Sequence, residues 1–148
     1  MKFIFPLQVL LNWKRTLEEF AQMKLTGEIR RLRKQEEEIE RLALLRLSRE
    51  EELRGKSLRG IQAGEYLLYK DYEEESRSEL LFKEEEKKKT LRVVAEEREK
   101  LVTLTKERKI LDRLKEKRFR TFLHQMDIRD QKEIDEMTAV KHRRSNKN

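Results

Sequence analysis

The strongest constraint on this chain is where its helix breakers are missing. From Glu65 to about Val140 there is neither glycine nor proline, and between Pro6 and Arg54 only Gly27 interrupts. Three of the four glycines, Gly55, Gly60 and Gly64, fall together in RGKSLRGIQAGEY. Glycine commonly ends helices in the left-handed conformation and supplies turn geometry, so this cluster is the one credible turn. Pro6 suits the first turn of a helix, where its missing N–H is not needed. The distribution predicts one helix over about 6–54, a turn at 55–64, a second helix over about 65–140 and a basic, disordered tail at 141–148. All of this is read as a single coiled-coil domain.

The composition points the same way. Charged residues make up 45% of the 148 and hydrophobic ones 36%, too little apolar surface to wrap a compact core. Basic and acidic residues are interleaved, 37 against 30, whereas a disordered chain combines low hydrophobicity with a large net charge. Long helices or coiled coils are what a bias toward Leu, Glu, Lys and Arg marks. Apolar residues recur at Leu7, Leu10, Trp13, Leu17 and Phe20, then at Ile29, Leu32, Ile39, Leu42 and Leu45. Steps of three, four and seven put each group on one helical face. The spacing slips near Gly27, which reads as a local unwinding of the seam or as loose packing. In the second segment the stripe runs through Leu80, Leu91, Val94, Leu101, Leu104, Leu111, Leu114, Phe122 and Met126, with Arg or Lys at several expected seam positions.

At 1.5 Å per residue the two helices would be ~75 Å and ~110 Å long. Neither is stable alone with one bare apolar stripe, so they are expected to pair as an antiparallel hairpin. The second helix would then overhang by ~35 Å at the end that bears both termini. The rival is a parallel homodimer of one unbroken rod, which must explain clustered glycines worth ~1 kcal/mol each in a helix interior.

The residue inventory argues against catalysis. Without cysteine there is no thiolate nucleophile or Cys-based metal site. His124 and His142 stand 18 residues apart, so no pair shares a metal-binding face. GKS at 55–57 lacks the upstream glycine and preceding strand of a nucleotide-binding loop. The carboxylate runs at Glu36–Glu38, Glu73–Glu75 and Glu84–Glu86 read as solvated faces, because a helix pair offers nowhere to bury an acid with a shifted pKa. No enzyme and no cofactor are expected. The opening MKFIFPLQVLLNWK is too short and too interrupted for a secretory signal or a membrane span, so a cytosolic protein without membrane insertion is expected.

Three segments have binding chemistry. Tyr66, Tyr69 and Tyr72 step by three into one tilted stripe, which either packs on the first helix or presents Tyr72 to a partner. Residues 106–127 interleave basic side chains with apolar ones, and Phe119 and Phe122 fall in or near the overhang, where the first helix covers only part of them. The tail bears Lys141, His142, Arg143, Arg144 and Lys147, a pattern that is usually solubilising and disordered, with attraction to nucleic acid or an acidic membrane as the other reading. The net charge of +7 is spread among acidic residues rather than drawn into a stripe, so nucleic acid is not expected as a partner, although a basic nucleic-acid-binding or generic scaffold coiled coil stands as the alternative.

Three stretches together resemble the FliJ family, a soluble component of the bacterial flagellar type III export apparatus. FIFPLQVLLNWKRTLEEFAQ is similar to that family's aromatic-rich opening. IQAGEYLLYKDYEEE resembles its aromatic lead into the second helix, with Tyr72 standing where the family has Phe. DQKEIDEMTA at 130–139 resembles its later acidic run, with Ile134 in place of Met and with Asp135 and Glu136 matching. The resemblance implies an antiparallel two-helix coiled coil like the stalk subunit of rotary ATPases. It implies a cytoplasmic monomer peripheral to the inner membrane at the flagellar base. Its implied partners are the hexameric export ATPase, the cytoplasmic domain of the export gate and export chaperones. Gate contact carries over to Tyr69, Tyr72, Ser76 and Leu80, although Ser76 differs from the apolar residue usual there. ATPase contact carries over to Gln131, Lys132, Asp135 and Glu136, joined by the aromatic pair Phe119 and Phe122.

Overall fold

The structure, a computed structural model, describes residues 2–147. It consists of two long helices, α1 (Gln8–Arg59) and α2 (Ala63–Asn146), packed antiparallel as a hairpin, and among the described residues no strand forms. Pro6 lies just ahead of α1. The Gln8 N–H donates to the Phe5 carbonyl at 3.1 Å and the Leu11 N–H to the Leu7 carbonyl at 2.9 Å, so the first helical turn is closed by residues 5–11. The helix then runs unbroken through Gly27, where a local unwinding was one expectation.

The turn is tighter than the glycine cluster suggests. Only Gly60 takes a positive φ, 97°, the left-handed conformation that terminates α1. Gly55 and Gly64 stay helical, so the link is residues 60–62 rather than 55–64. The Tyr66 N–H donates to the Gln62 carbonyl at 3.0 Å and starts α2. Lys56 and Arg59 close the last turn of α1 and Glu65 opens α2, signs that suit the two helix dipoles. A 2.6 Å Lys56–Glu65 ion pair clamps the turn. At the other end α2 continues through residues 141–146, where a disordered tail was expected.

The chain divides into two units by packing. In the unit of residues 19–102, Leu25, Leu32 and Ile39 recur at intervals of seven and turn inward, with Leu42 buried beside them. On α2 the equivalent repeat is polar. Ser76, Lys83, Thr90 and Glu97 lie seven apart, and all but Lys83 are buried. Polar residues are tolerated in this seam because each has a partner, on the opposite helix for three of them and, for Thr90, the Glu86 carbonyl of α2 itself at 3.2 Å. Arg46 Nε donates to Ser76 Oγ at 3.0 Å, Lys83 Nζ meets Glu38 at 3.0 Å and Lys24 Nζ meets Glu97 at 3.1 Å. Two seam atoms, Glu28 Oε2 and Gln35 Oε1, are buried without a hydrogen-bond partner, which weakens this unit.

The unit of residues 1–18 and 103–148 holds the aliphatic and aromatic core. Phe5, Leu11 and Leu111 are buried together, flanked by Phe3, Leu7 and Leu114. Leu11 has 0% exposure, whereas Trp13, placed on the apolar stripe by periodicity, is 56% exposed. Phe20, from the same expected stripe but in the other unit, is 61% exposed. Around this core runs an ion-pair network. Arg108 hydrogen-bonds Glu18 and also Asp112 at 2.7 Å, Arg15 reaches Asp112 at 2.9 Å, and Lys14 reaches Glu107 at 2.6 Å.

These carboxylates predict the pH response. The hydrogen bond from Arg108 holds Glu18 below the usual carboxylate range. Burial opposes ionisation of Asp112, but the hydrogen bonds from Arg108 and Arg15 outweigh it and hold that group low as well. Glu97 is lowered by Lys24 first and then by Lys100, and Glu38 by Lys83. A carboxyl whose folded pKa is depressed contributes stability above its unfolded pKa and loses it as pH falls through the folded value. The thermal midpoint should therefore hold from neutral pH down to about 5 and fall below about 4. A midpoint that rose on acidification, followed by circular dichroism, would contradict this assignment.

Candidate functional site

Within residues 19–102, the four residues carried over for gate contact come together. Tyr69, Tyr72, Ser76 and Leu80 line one groove of about 460 Å³, opposite Ala43, Arg46, Leu47, Arg49 and Leu53 of α1. They do not contribute equally. Tyr69 and Tyr72 are half-buried, with ring area open to the groove. The Tyr72 hydroxyl is buried and finds no hydrogen-bond partner. Ser76, only 2% exposed, belongs chiefly to the seam, since its hydroxyl accepts from Arg46 and donates to the Glu73 carbonyl at 3.1 Å. Tyr66 does not share the groove and is exposed, with the Lys70 ammonium 5.6 Å from its ring centroid.

The groove is electrostatically mixed. Arg46, Arg49 and Arg77 reach it, as do Glu50 and Glu73. Arg49 is held firmly protonated by a 2.9 Å hydrogen bond to Glu52. Lys56 lies 5.2 Å from the Tyr69 ring centroid, and its ammonium pKa is raised by the hydrogen bond to Glu65 and then by Tyr69. The lock on Tyr69 thus comes from the end of α1. An arginine contribution from α1 was not anticipated from sequence. The readable signal was the Arg46–Arg49 spacing of three, which puts both on the face that meets the tyrosines.

Within residues 1–18 and 103–148, the aromatic pair proves to be covered in part. Phe3 approaches Phe119 edge-on with centroids 5.2 Å apart and Phe122 at 5.5 Å, and Phe119 and Phe122 stack at 6.5 Å. The first residues of the chain, not α1 itself, supply that cover, and the Arg118 guanidinium lies 6.0 Å from the Phe5 ring centroid. Phe3 went unassigned because an aromatic ahead of a helix has no periodicity to place it. Phe119 keeps an exposed face, whereas Phe122 is half-buried.

Further along α2, Gln131, Lys132, Asp135 and Glu136 are all exposed. Gln131 donates to Asp135 at 3.2 Å, a bond within the helix surface. Ile128, Ile134, Met137 and Val140 are exposed on the same stretch. Glu136 shares a shallow concavity with Met137, Val140 and Arg144. Phe119 and Phe122 are therefore one aromatic cluster, and the four polar residues form a separate exposed face. Among the described residues no group of three or more His, Asp and Glu is placed to hold a metal ion, and no helix is long and apolar enough to cross a membrane.

Residues 1–147 match one protein family, described as the flagellar FliJ protein. Neither among curated proteins nor among solved structures is there a match.

Proposed function

The chain belongs to the FliJ family of flagellar proteins and so has a flagellar export role, and on that premise we propose that it is a non-enzymatic coupling component. One surface meets the cytoplasmic domain of the export gate, another meets the hexameric export ATPase, and the protein assists export chaperones. It works as a monomeric hairpin held at the flagellar base, beside the inner membrane, by those partners. The observation that carries this reading is the groove that gathers Tyr69, Tyr72, Ser76 and Leu80, with aromatic area exposed and the Tyr72 hydroxyl unused. Tyrosine supplies large contact area at low entropic cost. Contact with the ATPase is supported by the uncovered face of α2 at Gln131, Lys132, Asp135 and Glu136, together with the exposed side of Phe119.

Photo-cross-linking in exporting cells tests the assignment. A cross-linker at Tyr72 is expected to capture the gate domain, and one at Glu136 the ATPase. Adducts exchanged between the two positions, or the same partner captured at both, would sink the division of labour.

A further inference from the structure

Charge is divided unevenly along this chain. Residues 1–18 and 103–148 hold 17 Lys and Arg against 9 Asp and Glu, whereas residues 19–102 hold 20 against 21. Much of the excess lies on the back of α2. Lys106, Lys109, Arg113, Lys117 and Arg120 step by three, four, four and three, which gathers them within an arc of about 80° and over ~21 Å of helix. That arc lies roughly half a turn from Arg108 and Leu111, which meet α1, so the row points away from the partner helix. All five are exposed. Arg120 pairs with Glu116, but Lys106, Lys109, Arg113 and Lys117 have no ion-pair partner among the described residues. Between Lys106 and His124 no acidic residue falls inside the arc; Glu116, the partner of Arg120, lies at one edge, and Ile110, 63% exposed, at the other.

Like charges one turn apart destabilise a helix, so nothing within the hairpin accounts for this row. We infer that it docks on an anionic membrane surface, with its ammonium and guanidinium groups against the phosphates of acidic lipid headgroups. Clusters of four to eight Lys and Arg on a helix suit such a surface. The geometry favours a plane over a nucleic-acid duplex. A straight row meets a flat sheet of phosphates with every cation at once, whereas duplex phosphates wind away from it. The arc also has no amide to read a base edge and no aromatic ring to stack on one, because Phe119 and Phe122 lie well off it, on the side that Phe3 approaches. Ile110 adds one apolar side chain at headgroup depth. Since no helix among the described residues is long and apolar enough to cross a membrane, the attachment inferred is peripheral and screened by salt. The inference goes beyond the gate and ATPase contacts and does not depend on either.

Cosedimentation of the full chain with vesicles tests it. The protein is expected to bind vesicles of phosphatidylcholine and phosphatidylglycerol at low salt, release from them at high salt, and ignore phosphatidylcholine alone. Replacing Lys109, Arg113 and Lys117 by Gln should weaken binding about a hundredfold, at ~1 kcal/mol per cation. Helical content should be unchanged, because all three are exposed. Replacing Lys141, Arg143 and Arg144 by Gln should leave most of the binding intact. Wild-type binding by the first variant, or a loss confined to the second, would overturn the inference. So would a gel shift showing duplex DNA held more tightly than the acidic vesicles at the same salt.

Discussion

Leu11→Asp is expected to lower the unfolding free energy by ~4 kcal/mol or more, while Leu10→Asp next to it changes stability by less than ~1 kcal/mol. Leu11 is fully buried in the cluster with Phe5 and Leu111, and Leu10 is exposed. Truncating a buried leucine to alanine alone costs ~2–5 kcal/mol, and an aspartate adds an unpaired charge in an apolar site. Against a total stability of ~5–15 kcal/mol, and a two-helix protein belongs near the low end, that loss unfolds the unit under mild conditions. Urea titration followed by circular dichroism separates the two variants. If Leu10→Asp were the damaging one, the seam would follow the apolar periodicity instead of the packing described here. Leu101, only half-buried, should respond less sharply to the same change.

The second large effect is on binding. Tyr72→Ala should weaken association with the gate's cytoplasmic domain by ~2 kcal/mol, about thirtyfold, and leave stimulation of the ATPase intact. Tyr72→Phe refines the test. The hydroxyl makes no hydrogen bond within the protein, so its removal should leave the hairpin as stable as before or slightly more so. A tenfold loss of gate affinity in Tyr72→Phe would mean that the partner uses the hydroxyl, and an unchanged affinity would mean that the ring alone anchors it. Titration calorimetry on both variants reads the difference. Wild-type affinity in Tyr72→Ala would assign the tyrosine to the seam and remove the groove as the gate surface.

The amino-acid sequence by itself determined that there are two helices, roughly where they meet and that they fold back on each other. Those features follow from local chemistry: proline and glycine break helices wherever they stand, and long runs of Leu, Glu, Lys and Arg without them do not break. Even so, only the tertiary structure distinguishes Gly60, out of three clustered glycines, as the left-handed residue. The phase of the seam was legible in part: Leu17, Ile29, Leu32, Ile39, Leu42 and Leu45 of α1 and Val94, Leu104 and Leu111 of α2 turn inward as the periodicity predicts. Counting apolar residues put Leu10, Trp13 and Phe20 inside, yet the inward positions of α1 include Lys14, Glu18, Glu28 and Gln35. A polar residue becomes acceptable in a seam when a partner neutralises it, and those partners lie on the other helix, as Arg108 does for Glu18 and Glu107 for Lys14. The gate-contact set was named by resemblance, but its gathering on a groove with Arg46 and Arg49 came from register. The cover on Phe119 and Phe122 came from Phe3, a residue more than a hundred positions away in sequence. Local propensity and apolar periodicity decide which elements form and most of the inward face, and the pairing of distant side chains decides which polar residues join that face.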